Sequence, residues 1–240
     1  MSDAAAPGDA PVLLITGASS GIGAATARRT SEAGWRVVLG ARSKERLDGL
    51  AEDLGGEERG LARRCDVSAF EDVEALVEIA VERFGRLDAV FANAGVGAPR
   101  GFLRESVDHW RTMVETNVLG VAFTIRATLP QLRDAGRGHY VLTGSVAGRR
   151  ALPGSLYSAT KFAVTAMAEG LRQEVRNDMP ESDIRVTLIS PGMVDTPFFD
   201  RRPQNALHDE DVARAVMYAL AQPPHVDVNE VLLRPVRQMT

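Results

Sequence analysis

Along this chain, short runs of continuously apolar or β-branched residues alternate with longer stretches in which apolar positions recur every three or four residues. The runs are Val12–Thr16 (VLLIT), Arg36–Gly40 (RVVLG), Leu61–Cys65 (LARRC), Asp88–Ala92 (DAVFA), His139–Thr143 (HYVLT), Ile184–Ser190 (IRVTLIS) and Glu230–Pro235 (EVLLRP), and each reads as a strand. Most are too uniformly apolar for a sheet with one wet face, so both faces should be covered. Strands alternating with helices in this way predict an α/β fold, a doubly wound seven-stranded parallel sheet with helices on both faces.

The helical stretches carry their own punctuation. In Ser68–Gly85, Ser68 and Glu71 have capping-box spacing, the stripe Phe70, Val73, Leu76, Val77, Ala80, Val81 and Phe84 is apolar, and Gly85 stands where the helix should stop. Near the end, Asp209–Asp211 place acids in a first turn, Val212, Ala215, Val216, Ala219 and Leu220 share a face, and Pro223 lies beyond the stop. Trp110 and Met113 fall on one face with Val114, Val118 and Val121 and read as core.

Composition narrows the function classes. The 240 residues, 45% of them hydrophobic, suit one domain over residues 12–240, with 1–11 (MSDAAAPGDAP) as a mobile tail that lacks the pattern of a secretory signal. A net charge of −4 gives no field to hold nucleic acid. No apolar run approaches a membrane span, so no membrane partner is expected. The single Cys65 excludes an internal disulfide framework, reads as a small buried residue, and fits a reducing, cytoplasmic setting. His109, His139, His208 and His225 lack metal-ligand spacing, so no metal site is expected.

Candidate chemistry begins directly after the first strand, at Thr16–Gly23 (TGASSGIG). Gly17 permits a sharp turn, Gly21 admits a phosphate close to the backbone, and Gly23 lets the following helix pack on the strand. Free N–H groups at that helix start, around Ser19, Ser20 and Ile22, should face phosphates, as in a Rossmann-type dinucleotide site. The second strand ends in Gly40 and Ala41, where an NAD-type site would place an acid, and Arg42 follows. A guanidinium there suits a 2′-phosphate and points to NADP(H) over NAD(H), the alternative being a solvated arginine at a helix start. Farther on, Tyr157 and Lys161 stand four residues apart in SLYSATKFA and share a helix face.

Together with Asn93-Ala94-Gly95, Asn117, Ser145, Tyr157-Ser-Ala-Thr-Lys161 and Pro191–Thr196 (PGMVDT), the glycine turn resembles the short-chain dehydrogenase/reductase family over almost the whole chain after residue 11. The ending VDVNEVLLRP is similar to the NADP-dependent branch that includes hydroxy-acid dehydrogenases and aldehyde reductases. The resemblance implies an NADP(H)-dependent enzyme interconverting a small-molecule carbonyl and an alcohol, with Tyr157 as general acid/base and Ser145 sharing the substrate oxygen. It implies that Lys161 stabilises the phenolate and holds the nicotinamide ribose, and that Asn117 positions a water linking Lys161 to solvent. With oxidised nicotinamide as a second cation, a lowering of the phenol's pKa by about three units would take roughly 4 kcal/mol. Asn93 and Gly95 should line the cofactor cleft, Asp66 and Val67 flank the adenine, and Pro191, Gly192, Val194 and Thr196 contact the nicotinamide end.

The family pattern also implies a homodimer or homotetramer built through the long helices and the terminal strand. A dinucleotide-sensing regulator without turnover is the rival reading, disfavoured because it need not retain Ser145, Tyr157 and Lys161 together. Two departures stand out: the interval from Ser145 to Tyr157 is one residue short of the family's, and Pro197–His208 is short for a substrate lid, which suggests an open pocket. Phe198 and Phe199 read either as an apolar wall of that pocket or as packing of the loop. Arg149, Arg150, Arg201 and Arg202 read as solvated, or as a lure for an acidic substrate.

Overall fold

The computed structural model describes residues 10–97, 101–198 and 203–238. Its strands are β1 (Val12–Thr16), β2 (Arg36–Ala41), β3 (Gly60–Arg64), β4 (Ala89–Ala92), β5 (Arg137–Thr143), β6 (Asp183–Pro191), β7 (Val194–Asp195), β8 (Leu207–His208) and β9 (Glu230–Leu233). The helices are α1 (Gly21–Glu32), α2 (Lys44–Asp53), α3 (Phe70–Phe84), α4 (Val107–Val114), α5 (Gly120–Ala135), α6 (Leu156–Asp178) and α7 (Asp209–Leu220). Seven strands form one parallel sheet in the order β3-β2-β1-β4-β5-β6-β9, at the positions the apolar runs predict to within two residues. Of the expected tail, Pro11 already accepts a hydrogen bond from the Arg36 N–H at 2.9 Å, and residues 1–9 lie outside the described residues.

Successive strand residues divide between two cores. Leu14, Val38, Val90, Leu142 and Leu188 pack with α3, α5 and α6 on one face, while Leu13, Ile15, Leu39, Phe91 and Val141 pack with α1, α2 and α7 on the other. Both faces are therefore dry, which is why the strands read as continuous apolar runs rather than alternating ones. β1 is flanked by β2 on one side and β4 on the other, so connections leave it in opposite directions and a crevice opens at the carboxyl ends of these strands.

Two local expectations are corrected. Ser68 does not cap α3: the helix starts at Phe70 after Ala69, and Ser68 instead donates both its hydroxyl (2.7 Å) and its amide (3.1 Å) to Asp66 Oδ1. The Asp66 carboxylate is two residues from Ser68 and two past the end of β3, so it captures Ser68 before the helix can. At the other end Gly85 adopts φ 70° and closes the helix as its position predicts.

The stripe through Met113 and Val114 is also broken. Residues Glu115–Leu119 form one π-helical turn, whose extra residue rephases the helix, so Met113 and Asn117 point into the core while Val114 is 38% exposed. Val194–Asp195 and Leu207–His208 form a two-residue parallel ladder that brackets the part of the loop after Thr196 outside the described residues. No helix among the described residues is long and apolar enough to cross a membrane.

Candidate active site

At the carboxyl ends of β1, β2, β4, β5 and β6 lies a cleft of about 1050 Å³. Its floor is the glycine turn. Gly17 (φ 69°) and Gly21 (φ 52°) hold left-handed backbone that side-chain-bearing residues avoid, and a Cβ at Gly17 would sit 2.8 Å from Ala94 Cα. Gly23 is held for packing: a Cβ there would meet Gly17 O at 2.3 Å. The Ala18 amide donates to Gly40 O and the Ala24 amide to Ser20 O, and the amides of residues 19–22 find no acceptor among the described residues. Unsatisfied N–H groups at the start of a 12-residue helix are suited to phosphate oxygens.

Asn93 ties this turn to the neighbouring strands. Its Nδ2 donates to Thr16 O (3.1 Å) and Gly17 O (3.3 Å), while its Oδ1 accepts from Thr143 Oγ1 (3.2 Å). The ends of β1, β4 and β5 are thereby locked to one another. Thr196 closes over Gly21, where a Cβ would lie 3.0 Å from the threonine methyl.

One end of the cleft carries cations. Arg42, at the end of β2, and Arg46, on α2, both line it, both are exposed, and neither forms an ion pair among the described residues. Asp66 and Val67 line the same cavity after β3. Burial works against ionisation of Asp66, but the Ser68 hydrogen bonds and the charges of Arg42 and Arg64 outweigh it and hold the carboxyl below its ordinary value. Cys65 also reaches the cleft, and burial with the nearby Asp72 and Asp66 pushes its thiol up to about 12, so it stays protonated and unreactive.

The other end holds Ser145, Tyr157 and Lys161. α6 starts at Leu156 behind a Ser155 cap, which sets Tyr157 in the first turn and Lys161 one turn later on the same face. Ser145 follows β5, its Oγ accepts the Ala147 N–H at 3.1 Å, and it lies near enough to the Tyr157 phenol to oppose the rise in that group's pKa. Lys161, 3% exposed, donates from Nζ to Thr143 O at 2.8 Å and lies 5.7 Å from the centroid of the Tyr157 ring.

The downward tuning expected of the phenol is not what the protein's own groups produce. Burial pushes Tyr157 up to about 12, opposed only by the nearby Ser145 hydroxyl. The same burial pushes Lys161 down to about 8. The ammonium is anchored on a main-chain carbonyl beneath the ring rather than on the phenol oxygen, so desolvation wins.

Asn117 sits behind this cluster, fully buried, and does not line the cleft. Its Nδ2 donates to Val96 O (2.9 Å) and Thr160 Oγ1 (3.1 Å), and its Oδ1 accepts the Val96 amide (2.8 Å). Both of its donors are thus spent on joining the Gly95–Gly97 strip to α6. Gly95 is the contact point, since a Cβ there would be 3.3 Å from Asn117 Oδ1 and 3.7 Å from Lys161 Nζ.

Every other residue singled out from the sequence as a site residue lines the cleft except Gly23, which packs beneath it: Gly17, Ser19, Ser20, Gly21, Ile22, Arg42, Asp66, Val67, Asn93, Gly95, Ser145, Tyr157, Lys161, Pro191, Gly192, Val194 and Thr196. Phe198 is a wall residue, its ring 5.7 Å from that of Tyr157 and pressed on Gly97; Phe199 lies outside the described residues. Arg149 is no lure for an acid, because Glu230 takes its guanidinium in a two-point ion pair (2.9 and 2.6 Å). Arg201 and Arg202 lie outside the described residues.

Sequence reasoning missed Arg46, His109, Phe198's neighbour Gly97 and Gln238, all of which line the cleft. His109 is held through Nε2 against Gly97 O at 2.7 Å. Arg46 follows Arg42 by four residues, a spacing that could have flagged it. Gln238 reaches the site only because the chain turns back after β9, and no local pattern announces that.

Comparison with known proteins agrees with this geometry. The family model for short chain dehydrogenases matches residues 11–206. An uncharacterized oxidoreductase of Staphylococcus saprophyticus is 39% identical over 241 residues, covering 95% of this chain and 96% of that protein. Among solved structures, an alcohol dehydrogenase from the archaeon Thermococcus sibiricus, complexed with 5-hydroxy-NADP, superposes with a TM-score of 0.87 at 34% identity, over 97% of this chain and 99% of that one. Serine dehydrogenase from Escherichia coli gives 0.84 at 31%, over 95% and 100%. Similar structures carry NADP in some cases and NADH or NAD in others. The match runs along nearly the full length in both sequence and fold, and this chain belongs to the short-chain dehydrogenase family of oxidoreductases.

Proposed function

We propose that the chain is an NADP(H)-dependent oxidoreductase that interconverts an aldehyde or ketone with its alcohol, using Tyr157 as general acid/base. The observation that carries this reading is the layout of one cleft. Free amides lie at its middle, two unpaired guanidinium groups at one end, and a phenol with a serine and a buried ammonium beside it at the other.

A nicotinamide dinucleotide, when bound, supplies or accepts the hydride. The glycine turn fits one: at Gly17 and Gly21 the backbone leaves room that a Cβ would fill, and the α1 amides face where a pyrophosphate would lie. Arg42 and Arg46 supply donors and charge for a 2′-phosphate, which favours NADP(H) over NAD(H). Asp66 is turned toward Ser68, so its carboxylate is engaged away from that phosphate.

Reduction of a carbonyl leaves an oxygen that must receive a proton. Tyr157, pushed up to about 12, is fully protonated at neutral pH and serves as the donor. The Ser145 hydroxyl, which lines the same end of the cleft, donates to the same developing charge. Lys161 brings its positive charge to the base of the ring, and Asn117 with Thr160 holds the strip that faces it. In the reverse direction Tyr157 must first lose its own proton so that the phenolate can accept the alcohol's, and each added positive charge nearby makes that phenolate easier to form.

The decisive test is an NADPH-consumption screen over carbonyl compounds with NADH in parallel, repeated with Tyr157→Phe. NADPH binding by fluorescence should persist in the variant while turnover falls by at least about 100-fold, the range of general acid catalysis. Full turnover by Tyr157→Phe defeats the assignment, and retained binding with no turnover of any carbonyl by the wild type favours a nucleotide sensor.

A further inference from the structure

The carboxamide of Gln238 has one committed end and one free end. Its Oε1 accepts the Met193 N–H at 2.8 Å and lies where a side chain on Gly192 would meet it at 2.2 Å. A main-chain N–H requires an oxygen partner, so the amide's orientation is set: what remains is an NH₂ group, which can only donate. That Nε2 has no partner among the described residues, and Gln238 lines the cleft. The Met193 peptide is held from both sides, since its carbonyl accepts from the Leu207 N–H at 2.9 Å, so the glutamine rests on a fixed support.

Its place is the reacting end. Thr143 of β5 is level with Ile189 of β6, and Gly144 N–H donates to Ile189 O at 2.7 Å, so Ser145 and Gly192 leave adjacent strands at the same end of the sheet. Three of the basic groups around this end are already engaged. Lys161 Nζ is on Thr143 O, Arg149 is on Glu230, and His109 Nε2 is on Gly97 O. The remaining walls include Val96, Leu152, Met193 and Phe198.

Resting on the carbonyl-reductase reading above, we infer that the favoured substrates are uncharged dicarbonyl compounds, diketones or keto esters, and that Gln238 Nε2 donates to the second oxygen while Ser145 and Tyr157 hold the first. A carboxylate in that position would meet the apolar walls of Val96, Leu152, Met193 and Phe198, with the cleft's unpaired guanidinium groups, Arg42 and Arg46, at its opposite end, at a desolvation cost a neutral oxygen avoids.

The test compares kcat/KM with NADPH for 2-butanone, 2,3-butanedione and 2-oxobutanoate, and for 2-pentanone and 2,4-pentanedione, in wild type, Gln238→Glu and Gln238→Ala. Dicarbonyls are intrinsically more reactive, so the readout is the dicarbonyl-to-monoketone ratio of each variant relative to wild type, in which that reactivity cancels. Gln238→Glu keeps an acceptor for Met193 and loses the donor; Gln238→Ala loses both. For at least one dicarbonyl pair the ratio should fall about tenfold in both variants, the worth of one neutral hydrogen bond.

An unchanged ratio in both variants, with monoketone and dicarbonyl rates falling together, makes Gln238 a clamp only and overturns the proposal. A fall in Gln238→Glu alone assigns the effect to the introduced charge and overturns it too, as does a wild type that reduces 2-oxobutanoate best. Absence of NADPH oxidation with every carbonyl would instead defeat the broader reading, so the two failures are distinct.

Discussion

Acidification should weaken this fold through one residue remote from the cleft. His139 on β5 is 2% exposed, shares a hydrogen bond between Nε2 and Thr187 Oγ1 at 2.8 Å, and leaves Nδ1 without a partner among the described residues. Burial, reinforced by the charge of Arg185, pushes its pKa from 6.5 down to about 3. Because the folded pKa lies below the unfolded one, the unfolded chain binds a proton below about 6.5 that the native state refuses. The residue's contribution is therefore complete above that pH and is lost as pH falls toward 3. At pH 5 the unfolded histidine is about 1.5 pH units below its pKa, which at about 1.36 kcal/mol per unit removes roughly 2 kcal/mol relative to pH 8.

The perturbation is His139→Gln, which cannot titrate here yet can keep a hydrogen bond to Thr187. The assay is urea unfolding of both proteins at about pH 8, 7, 6 and 5, at one protein concentration, with equal denaturant slopes as the check on comparability. Any constant cost of the substitution cancels when each protein is referred to its own stability at pH 8. Carboxylates such as Asp66 and Glu230, held below their ordinary values, titrate in both proteins and cancel as well. Wild type should lose about 2 kcal/mol more than the variant between pH 8 and 5. Parallel losses would show that a proton reaches His139 in the native state, and the burial argument would be wrong.

Two further outcomes follow from the cleft. Arg42→Ala should raise the dissociation constant for NADPH by about 10- to 100-fold while changing that for NADH less than about twofold, measured by nucleotide fluorescence titration, because a charged hydrogen bond to phosphate is worth about 1.5–3 kcal/mol. Comparable use of both nucleotides by the wild type would remove the role given to this guanidinium. Gly17→Ala places a Cβ 2.8 Å from Ala94 Cα at φ 69°, so it should cost at least about 1 kcal/mol in thermal or urea unfolding and weaken nucleotide binding; a variant as stable as wild type would contradict the strain argued for this turn.

What the sequence made legible follows from which signals are local. The seven sheet strands could be read because a sheet covered on both faces demands apolar residues at every position, and Gly85 could be read because a helix stop in the left-handed region selects glycine. The cleft-lining residues could be read because they cluster at strand ends. What escaped is set by partners distant in sequence. Ser68 has a plausible capping role until Asp66 is seen to hold it, and the two-residue β7 and β8 are too short to carry any period. The upward displacement of Tyr157 depends on burial and on Lys161 being anchored at Thr143 O, neither of which spacing alone can show. Gln238 entered the site through a turn after the edge strand, visible only once β9 had a neighbour.

The π-helical turn at Glu115–Leu119 has a reach larger than its five residues. It lets one continuous rod serve two masters, turning Met113 inward on one side of the offset and Asn117 inward on the other. Excising a single residue there would restore ordinary pitch and rotate everything upstream by about 100° about the rod. Val96 and Thr160 would lose the amide that joins them, and the strip opposite Lys161 would come adrift, though no group that touches substrate had been altered. Part of the alignment of this cleft is therefore encoded in the number of peptide units between two helices, and a length change is more damaging at this point than most changes of side chain.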